Sequence, residues 1–331
     1  MKKNFTSLSA LFAAFMVAGP ASAEISHLTL SRDPGLPHLP MVIMDHLHLV
    51  QKQLAAEGLK DTTVKWVVMN GAAQTDALIS GNVQVTSFGT TNLAVLWSAT
   101  NGKVKALAAE DSIANYLLTT DPKVKTIKDL TAADRIAVPS ILVSPQAIML
   151  KMAALKSFGD SKKLDALTVA MKPADAALAL LSGSGTVNTH FSVPPYQEIE
   201  MADPKIHVIS SSYDIMGSKP TTLVVLGATQ SFYDANPKTV HAVIAALEEA
   251  DTFIKAHPAE AAQIYLQDAH DTTTKPSLIV SILKDPTTIY TKKPMNVFKF
   301  VDFMYKIGQI KREPKSWKDL FFPSGQVADG S

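Results

Sequence analysis

Three polar side chains, Ser140, Ser144 and Gln146, lie in a turn that follows a short apolar strand and precedes a helix. Ser144 is a typical helix N-cap, and Pro145 suits the first helical position. The first N–H groups of a helix are unpaired and the helix dipole is positive there, so this turn can hold a small anionic or polar ligand. Parallel α/β sheets bind ligands at the carboxyl ends of their strands, where the turn is predicted to lie. An ordinary strand-to-helix connection explains the turn equally well when it is considered alone.

The first 23 residues have the features of a secretory signal peptide. Lys2 and Lys3 precede an apolar run, 8–18, and small residues ending at Ala23 form a cleavage site. The run is too short to cross a bilayer as a helix. We therefore expect cleavage before Glu24 and a periplasmic protein of a Gram-negative cell.

Composition limits the class of partner. Residues 1–23 contain two lysines and no acid, so the rest of the chain is nearly neutral. This balance argues against nucleic acid or an anionic membrane surface as the main partner. The chain has no cysteine and is 47% hydrophobic, so its stability must come from a large core. We expect a monomer with no stable membrane insertion.

Strands and helices alternate along the chain, which predicts an α/β fold with mainly parallel sheets. One amphipathic helix is predicted over 39–57. An internal repeat supports two related lobes: Ala77–Gly81 and Ala179–Gly183 each resemble a helix end that a strand follows at the same spacing.

Two β-rich stretches are predicted to connect the lobes and to form a hinge around a ligand cleft. The expected divisions are 1–23 for the signal peptide, 24–114 and 224–331 for lobe I, 120–219 for lobe II, and 115–119 and 220–223 for the hinge strands.

The order of these motifs resembles that of the substrate-binding proteins of ABC importers. The similar branch is the nitrate/sulfonate/taurine type, which shares a domain with thiamine-pyrimidine (NMT1/THI5-like) proteins. The most specific pieces are Ile127-Lys128-Asp129-Leu130 before Ile136-Ala137-Val138-Pro139, and Asn236-Pro237, which opens a long predicted helix. The resemblance implies a type II periplasmic binding protein: two related α/β lobes, joined by a two-strand hinge, with a ligand cleft between them.

The resemblance also implies four ligand-binding loops at strand ends. Their candidate residues are Arg32 and His38; Phe88, Gly89, Thr90 and Thr91; Ser140, Ser144 and Gln146; and His190, Phe191 and Ser192. The fourth loop departs from the family, because many relatives have an Asp-Ala pair and an aromatic-Glu-Pro run where this chain has Asn188-Thr189-His190-Phe191 and Pro194-Pro195.

Arg32 is one of three arginines and the main candidate for an anionic head group, since a guanidinium matches the geometry of planar anions. A surface salt bridge is the alternative. His190 is expected to donate to a ligand or to cap its local turn. His46 and His48 face different sides of a predicted helix, so we expect no metal site and no cofactor.

These observations predict a solute-binding component of an ABC transporter and no enzymatic activity. It would capture a small anionic or polar compound, such as nitrate, a sulfonate, an aromatic acid or a pyrimidine-like compound, and deliver it to an inner-membrane permease with its ATPase. One alternative is an enzyme on the same fold, but the thiamine-pyrimidine synthases that it would resemble rely on a cysteine-rich motif. The other alternative is a periplasmic sensor subunit.

Overall fold

The structure is a computed structural model that describes residues 24–69, 72–217 and 219–331; the expected signal peptide lies outside these residues. Its strands form two five-stranded sheets and one two-stranded sheet. The strands are β1 His27–Arg32, β2 Thr63–Val68, β3 Val85–Gly89, β4 Val104–Ala109, β5 Asp111–Ile113, β6 Tyr116–Thr119, β7 Ile136–Val138, β8 Thr168–Ala170, β9 Thr189–Ser192, β10 His207–Ser211, β11 Val224–Thr229 and β12 Thr288–Tyr290.

The two large sheets have the same topology. The first has the order β2-β1-β3-β11-β4 and the second, from the other edge, β8-β7-β9-β6-β10. In each sheet the first three strands are parallel, and the fourth is antiparallel to both of its neighbours. Two related α/β lobes are therefore present, as the sequence predicts.

The internal repeat occupies equivalent positions in these sheets. A helix before β3 is followed by Gly81, and a helix before β9 is followed by Gly183; both glycines have the left-handed conformation, with φ of 77° and 63°. This conformation favours glycine because a side chain would be strained there. The repeat is confirmed, although β9 begins two residues later than the predicted Val187.

Helices cover the faces of both sheets, and most begin at prolines or polar caps. They are α1 Leu39–His46, α2 Leu49–Ala56, α3 Ala72–Ser80, α4 Thr90–Ala99, α5 Pro145–Phe158, α6 Pro173–Ser182, α7 Tyr196–Met201, α8 Ser212–Met216, α9 Gln230–Ala235, α10 Pro237–Ala256, α11 Pro258–Asp268, α12 Pro276–Leu283 and α13 Val297–Lys306. The predicted helix over 39–57 is two helices, because His48 adopts a left-handed conformation with φ of 53°. None of the helices in the described parts of the chain has the length and apolar character that crossing a membrane requires.

The connection between the sheets differs from the predicted hinge. The segment 115–119 was expected to be a hinge strand, but β6 lies inside the second sheet, where it pairs with β9 and β10. The first crossing is instead 110–115, and its strand β5 pairs with β12 from near the end of the chain. The return crossing precedes β11, which enters the middle of the first sheet.

Two apolar clusters stabilise this arrangement. One packs α1, α2, α10 and α11 against a face of the first sheet. The other begins on the opposite face with Trp97 of α4 and Phe300 of α13, and continues to Ile148 and Met149 of α5 beside the second sheet. Burial of these side chains is the main source of the folding free energy.

Gly227 of β11 provides a test of this packing, because the ring of Phe88 lies directly over it. A Cβ at Gly227 would lie 2.2 Å from Cε1 of Phe88. We expect Gly227→Ala to lower the free energy of unfolding by roughly 1–3 kcal/mol, since the ring or the strand must move. Urea denaturation measures this, with Gly325→Ala as control because open space surrounds Gly325. Equal losses in both variants would contradict the packing.

Candidate functional site

The carboxyl ends of β1, β3 and β4 meet at one edge of the first sheet. These three strands run in the same direction, because β11 is antiparallel to both β3 and β4. Asp33 follows β1, Gly89 ends β3 and Glu110 follows β4. The equivalent edge of the second sheet carries the turn 139–144 after β7. Ligands of parallel α/β sheets bind at such edges.

The two edges touch at the second and third candidate loops. Thr91 Oγ1 donates a hydrogen bond of 2.6 Å to the carbonyl of Val143. At Gly89, a Cβ would lie 3.0 Å from Cδ of Pro145, so the backbone of β3 approaches the start of α5 closely. The structure thus brings these two loops together and encloses one end of the cleft between the sheets.

A buried polar network lies at the edge of the first sheet. Ser87 Oγ donates to Glu110 Oε2 at 2.7 Å, so its hydroxyl must accept the 2.6 Å hydrogen bond from His38 Nδ1. His38 therefore carries a proton on Nδ1. Its Nε2 lies 3.9 Å from Asp33 Oδ2, which is too long for a hydrogen bond. We call Asp33, His38, Ser87, Glu110 and Asp111 the acidic cluster.

Asp111 connects the two crossings between the lobes. It lies in the first crossing, and its Oδ1 accepts the backbone N–H groups of Val224 at 2.9 Å and Leu223 at 3.3 Å in the second. The pair of bonds holds the start of β11 against β5.

Burial changes the proton affinity of the cluster. It raises the pKa of Asp33 to about 6, despite the opposing charge of His38, and Glu110 adds to the rise. Burial also raises the pKa of Asp111 to about 8, although His38 and the two backbone N–H groups oppose it. Burial alone would lower the pKa of His38, but the contact with Glu110 and the charge of Asp33 outweigh it, so this pKa is raised.

The Ser–His–Glu arrangement differs from a catalytic triad. In a triad the serine hydroxyl donates its hydrogen bond to the histidine, whereas Ser87 donates its hydrogen bond to Glu110 and accepts one from His38. Ser87 is fully buried inside β3. Among the described residues, no group of three or more His, Asp or Glu side chains is arranged to hold a metal ion.

Arg32 lies at the end of β1 but is already paired. Its Nη2 donates to Asp268 Oδ1 at the end of α11, and only 4% of its side chain is exposed. Its Nε and Nη1 groups are buried and have no hydrogen-bond partner. Arg32 therefore forms a salt bridge, but its side chain is buried and not on the surface as the sequence alternative supposed, and its Nε and Nη1 are uncommitted.

The hydroxyl groups of the second and third loops mainly hold the backbone together. Thr90 Oγ1 donates to the carbonyl of Thr222. Ser144 Oγ donates to the carbonyl of Ser140 and accepts the N–H of Ala147, which confirms it as the N-cap of α5. Gln146, in the first turn of that helix, is 6% exposed.

The fourth loop places its candidate residues inside the second lobe. His190 Nδ1 lies 2.6 Å from Glu200 Oε1, and both side chains are buried beneath α7. Phe191 is on the other face of the sheet, in the apolar cluster that includes α5. Ser192 is buried, and its Oγ has no hydrogen-bond partner. These three side chains do not join the acidic cluster.

The sequence analysis did not select Ser87, Glu110 or Asp111. A signal was present, because two adjacent acids follow the apolar run Val104–Ala109. Acids directly after a buried strand are unusual unless they face a site or a hinge. The partner His38 was among the candidates, but its link to Glu110 spans 72 positions and leaves no local pattern.

The raised pKa values predict that stability falls as pH rises. A folded state that holds a proton more tightly than the unfolded chain loses free energy of unfolding as the pH passes through the raised pKa. For Asp33 this loss falls between about pH 4 and pH 7 and is about 2–3 kcal/mol. Asp111 and His38 act in the same direction, and Asp111 extends the loss past pH 8.

Urea denaturation between pH 4 and pH 8.5 measures this dependence. Asp33→Asn should flatten the curve between pH 4 and pH 7, since the amide has no proton to lose there. Asp61→Asn is the matched control, because Asp61 is exposed. An Asp33→Asn curve that follows the wild type over the whole range would contradict the assignment.

No protein-family model and no curated protein matches the sequence. Three similar solved structures are the periplasmic aliphatic sulphonate-binding protein SsuA from Escherichia coli, the alkanesulfonate-binding protein SsuA from Xanthomonas axonopodis pv. citri bound to MOPS, and the periplasmic nitrate-binding protein NrtA from Synechocystis PCC 6803. Their sequence identities are 18%, 17% and 16%, and their TM-scores 0.70, 0.67 and 0.67. The alignments cover 91%, 92% and 89% of this chain and 94%, 96% and 84% of those chains. The chain therefore has the two-lobed α/β fold of these periplasmic binding proteins.

Proposed function

We propose that the protein is the solute-binding component of an ABC importer. The observation that carries this proposal is the pair of equivalent sheet edges, which face each other with the carboxyl ends of their parallel strands. Solved proteins of the same fold bind sulfonates and nitrate, according to their names. The proposed solute is a small anionic or polar compound that binds between the lobes.

Capture would proceed by closure of the two lobes. In this proposal lobe I consists of residues 24–109 and 224–331, and lobe II of residues 116–217. The crossings at 110–115 and before β11 form the hinge, which the hydrogen bonds of Asp111 hold as one unit. A hinge of this kind lets each lobe move as a rigid body. No bond of the solute is made or broken in this cycle.

The proposed partners are an inner-membrane permease and its ATPase. Delivery to them requires export, so we propose that residues 1–23 are removed as a signal peptide and that the mature protein is a periplasmic monomer. N-terminal sequencing of the protein from a periplasmic extract should give Glu24. An intact Met1 on the folded protein would contradict this proposal.

Solute binding is tested by a thermal-shift screen with nitrate, alkanesulfonates, aromatic acids and pyrimidines. A solute that binds only the folded state should raise the melting temperature as its concentration increases. Solution scattering should show a smaller radius of gyration with that solute, because closure brings the lobes together. Absence of any shift across the panel would count against solute capture.

Arg32 offers a test of how an anionic head group is held. Its two uncommitted N–H groups can donate to an anion at the edge of the first sheet. Since a charge-assisted hydrogen bond contributes about 1.5–3 kcal/mol, Arg32→Ala should weaken binding of the best solute by roughly tenfold to a hundredfold. Isothermal titration calorimetry measures the change.

Arg135→Ala is the matched control for this experiment. Arg135 is exposed, and its guanidinium contacts only backbone carbonyls of Ala132 and Asp134. The control should keep the wild-type affinity. Equal affinities in the wild type and in both variants would show that Arg32 serves only its ion pair with Asp268.

A further inference from the structure

We infer that the acidic cluster binds an N–H donor group of the solute, such as an ammonium or an amino nitrogen on a ring. This inference rests on the proposed function and specifies the solute further. The solute would carry a nitrogen donor in addition to its anionic or polar head.

The cluster contains more hydrogen-bond acceptors than donors. Oδ1 of Asp33, Oε1 of Glu110 and Oδ2 of Asp111 are buried and have no hydrogen-bond partner among the described residues. Glu110 and Asp111 are completely buried as residues. A buried acceptor without a donor destabilises the folded protein, because the free energy of removing the acceptor from water is not offset by a hydrogen bond. Because Asp111 keeps its proton at neutral pH, the unmet acceptors of the cluster are Oδ1 of Asp33 and Oε1 of Glu110, and both are unfavourable for the protein alone.

The charges in the cluster are also unbalanced. His38 is the cationic side chain whose charge lowers the pKa of both Asp33 and Asp111, and Glu110 raises the pKa of both. Arg32 directly precedes Asp33 in the chain, but its guanidinium donates a hydrogen bond to Asp268 instead. Asp111 is uncharged at neutral pH, so the charges of Asp33 and Glu110 face the imidazole of His38, and an added positive group or N–H donor would satisfy them.

Structural needs explain one carboxyl oxygen of Glu110 and one of Asp111. Asp111 uses Oδ1 for the second crossing, and Glu110 uses Oε2 for Ser87. The remaining oxygens stabilise no element of the fold. Asp33 is the accessible member, with 26% of its side chain exposed, and it directly follows β1 at the edge where ligands of this sheet type bind. The geometry therefore gives the nitrogen donor an entry beside Asp33.

The same charges oppose an anion at this position. A sulfonate or carboxylate beside Asp33 and Glu110 would meet like charges in a region of low dielectric constant. The anionic head of the solute must lie elsewhere in the cleft, for example at the first turn of α5 or near Arg32. A solute with an amino group at one end and an anionic head at the other matches both regions.

Pairs of compounds that differ only in an amino group test this inference. The probes are taurine with ethanesulfonate, 4-aminobenzoate with benzoate, and 4-aminopyrimidine with pyrimidine. Calorimetry on the wild-type protein should show at least tenfold tighter binding of the amino member in the pair that fits the cleft. Asp33→Asn and Glu110→Gln should remove most of this preference, while Asp61→Asn should keep it.

A second measurement distinguishes a binding role from a structural one. Without solute, Asp33→Asn should melt at the same temperature as the wild type or above it, because it removes an unfavourable buried charge. A purely structural carboxylate would instead give a lower melting temperature when replaced. A clearly lower value would overturn the inference.

The remaining outcomes separate the inference from the proposed function. Equal binding of both members of a pair would leave solute capture intact and overturn the nitrogen-donor site. If none of the six probes binds, any solute released from the periplasmic protein is identified by mass spectrometry, and its structure tests the inference. An amino compound supports the inference, and a solute without an N–H group overturns it. If no solute is released, the proposed function fails, and the inference fails with it.

Discussion

The first large sheet of this protein is completed by β11, which the chain reaches only after it has passed through every strand of the second sheet. β11 pairs with β3 and β4 in the first sheet, and β6 occupies the equivalent place in the second. The first sheet cannot reach its full hydrogen bonding until the chain has crossed to the second sheet and returned. Both crossings lie at the carboxyl ends of the parallel strands, so the candidate site and the proposed hinge share the same edge.

The hydrogen bonds of Asp111 follow from that constraint. Where two crossings run side by side, the first backbone N–H groups of β11 lie at the limit of the sheet and need an acceptor. The buried carboxyl group of Asp111 supplies one oxygen for both N–H groups. The consequence is a fully buried acid next to Glu110 and near His38, so the connection between the lobes and the polar cleft belong to one electrostatic unit.

Local patterns in the sequence predicted the elements whose causes are local. The glycine after each repeated helix, the serine cap and proline of α5, and the proline start of α10 each act within one turn, and all are present. Predictions failed where the cause lies far away in the chain. The break at His48 and the inclusion of 116–119 in the second sheet depend on packing and on strand pairing with residues 70 or more positions distant.

The candidate site also has features that local sequence predicts and features that depend on distant packing. Loop positions at the carboxyl ends of strands follow from topology, so the edge that carries His38 and Gly89 was predictable. The direction of each side chain was not, because it depends on which face of a strand is covered. His190 and Phe191 lie on opposite faces of β9, and helices and core residues cover both.

The buried acids and the helix N-termini of the candidate site have opposite charge preferences. Helix N-termini and Arg32 favour an anion, whereas Asp33 and Glu110 favour a donor of hydrogen bonds. These preferences are compatible only if they act on different ends of one solute. In the proposed function, the cost of the unpaired oxygens of Asp33 and Glu110 falls on the solute-free protein and is recovered on binding, so the affinity for the correct solute rises while anions without a nitrogen donor are disfavoured. A cleft that binds its solute through both preferences gains selectivity from the same groups that lower its stability.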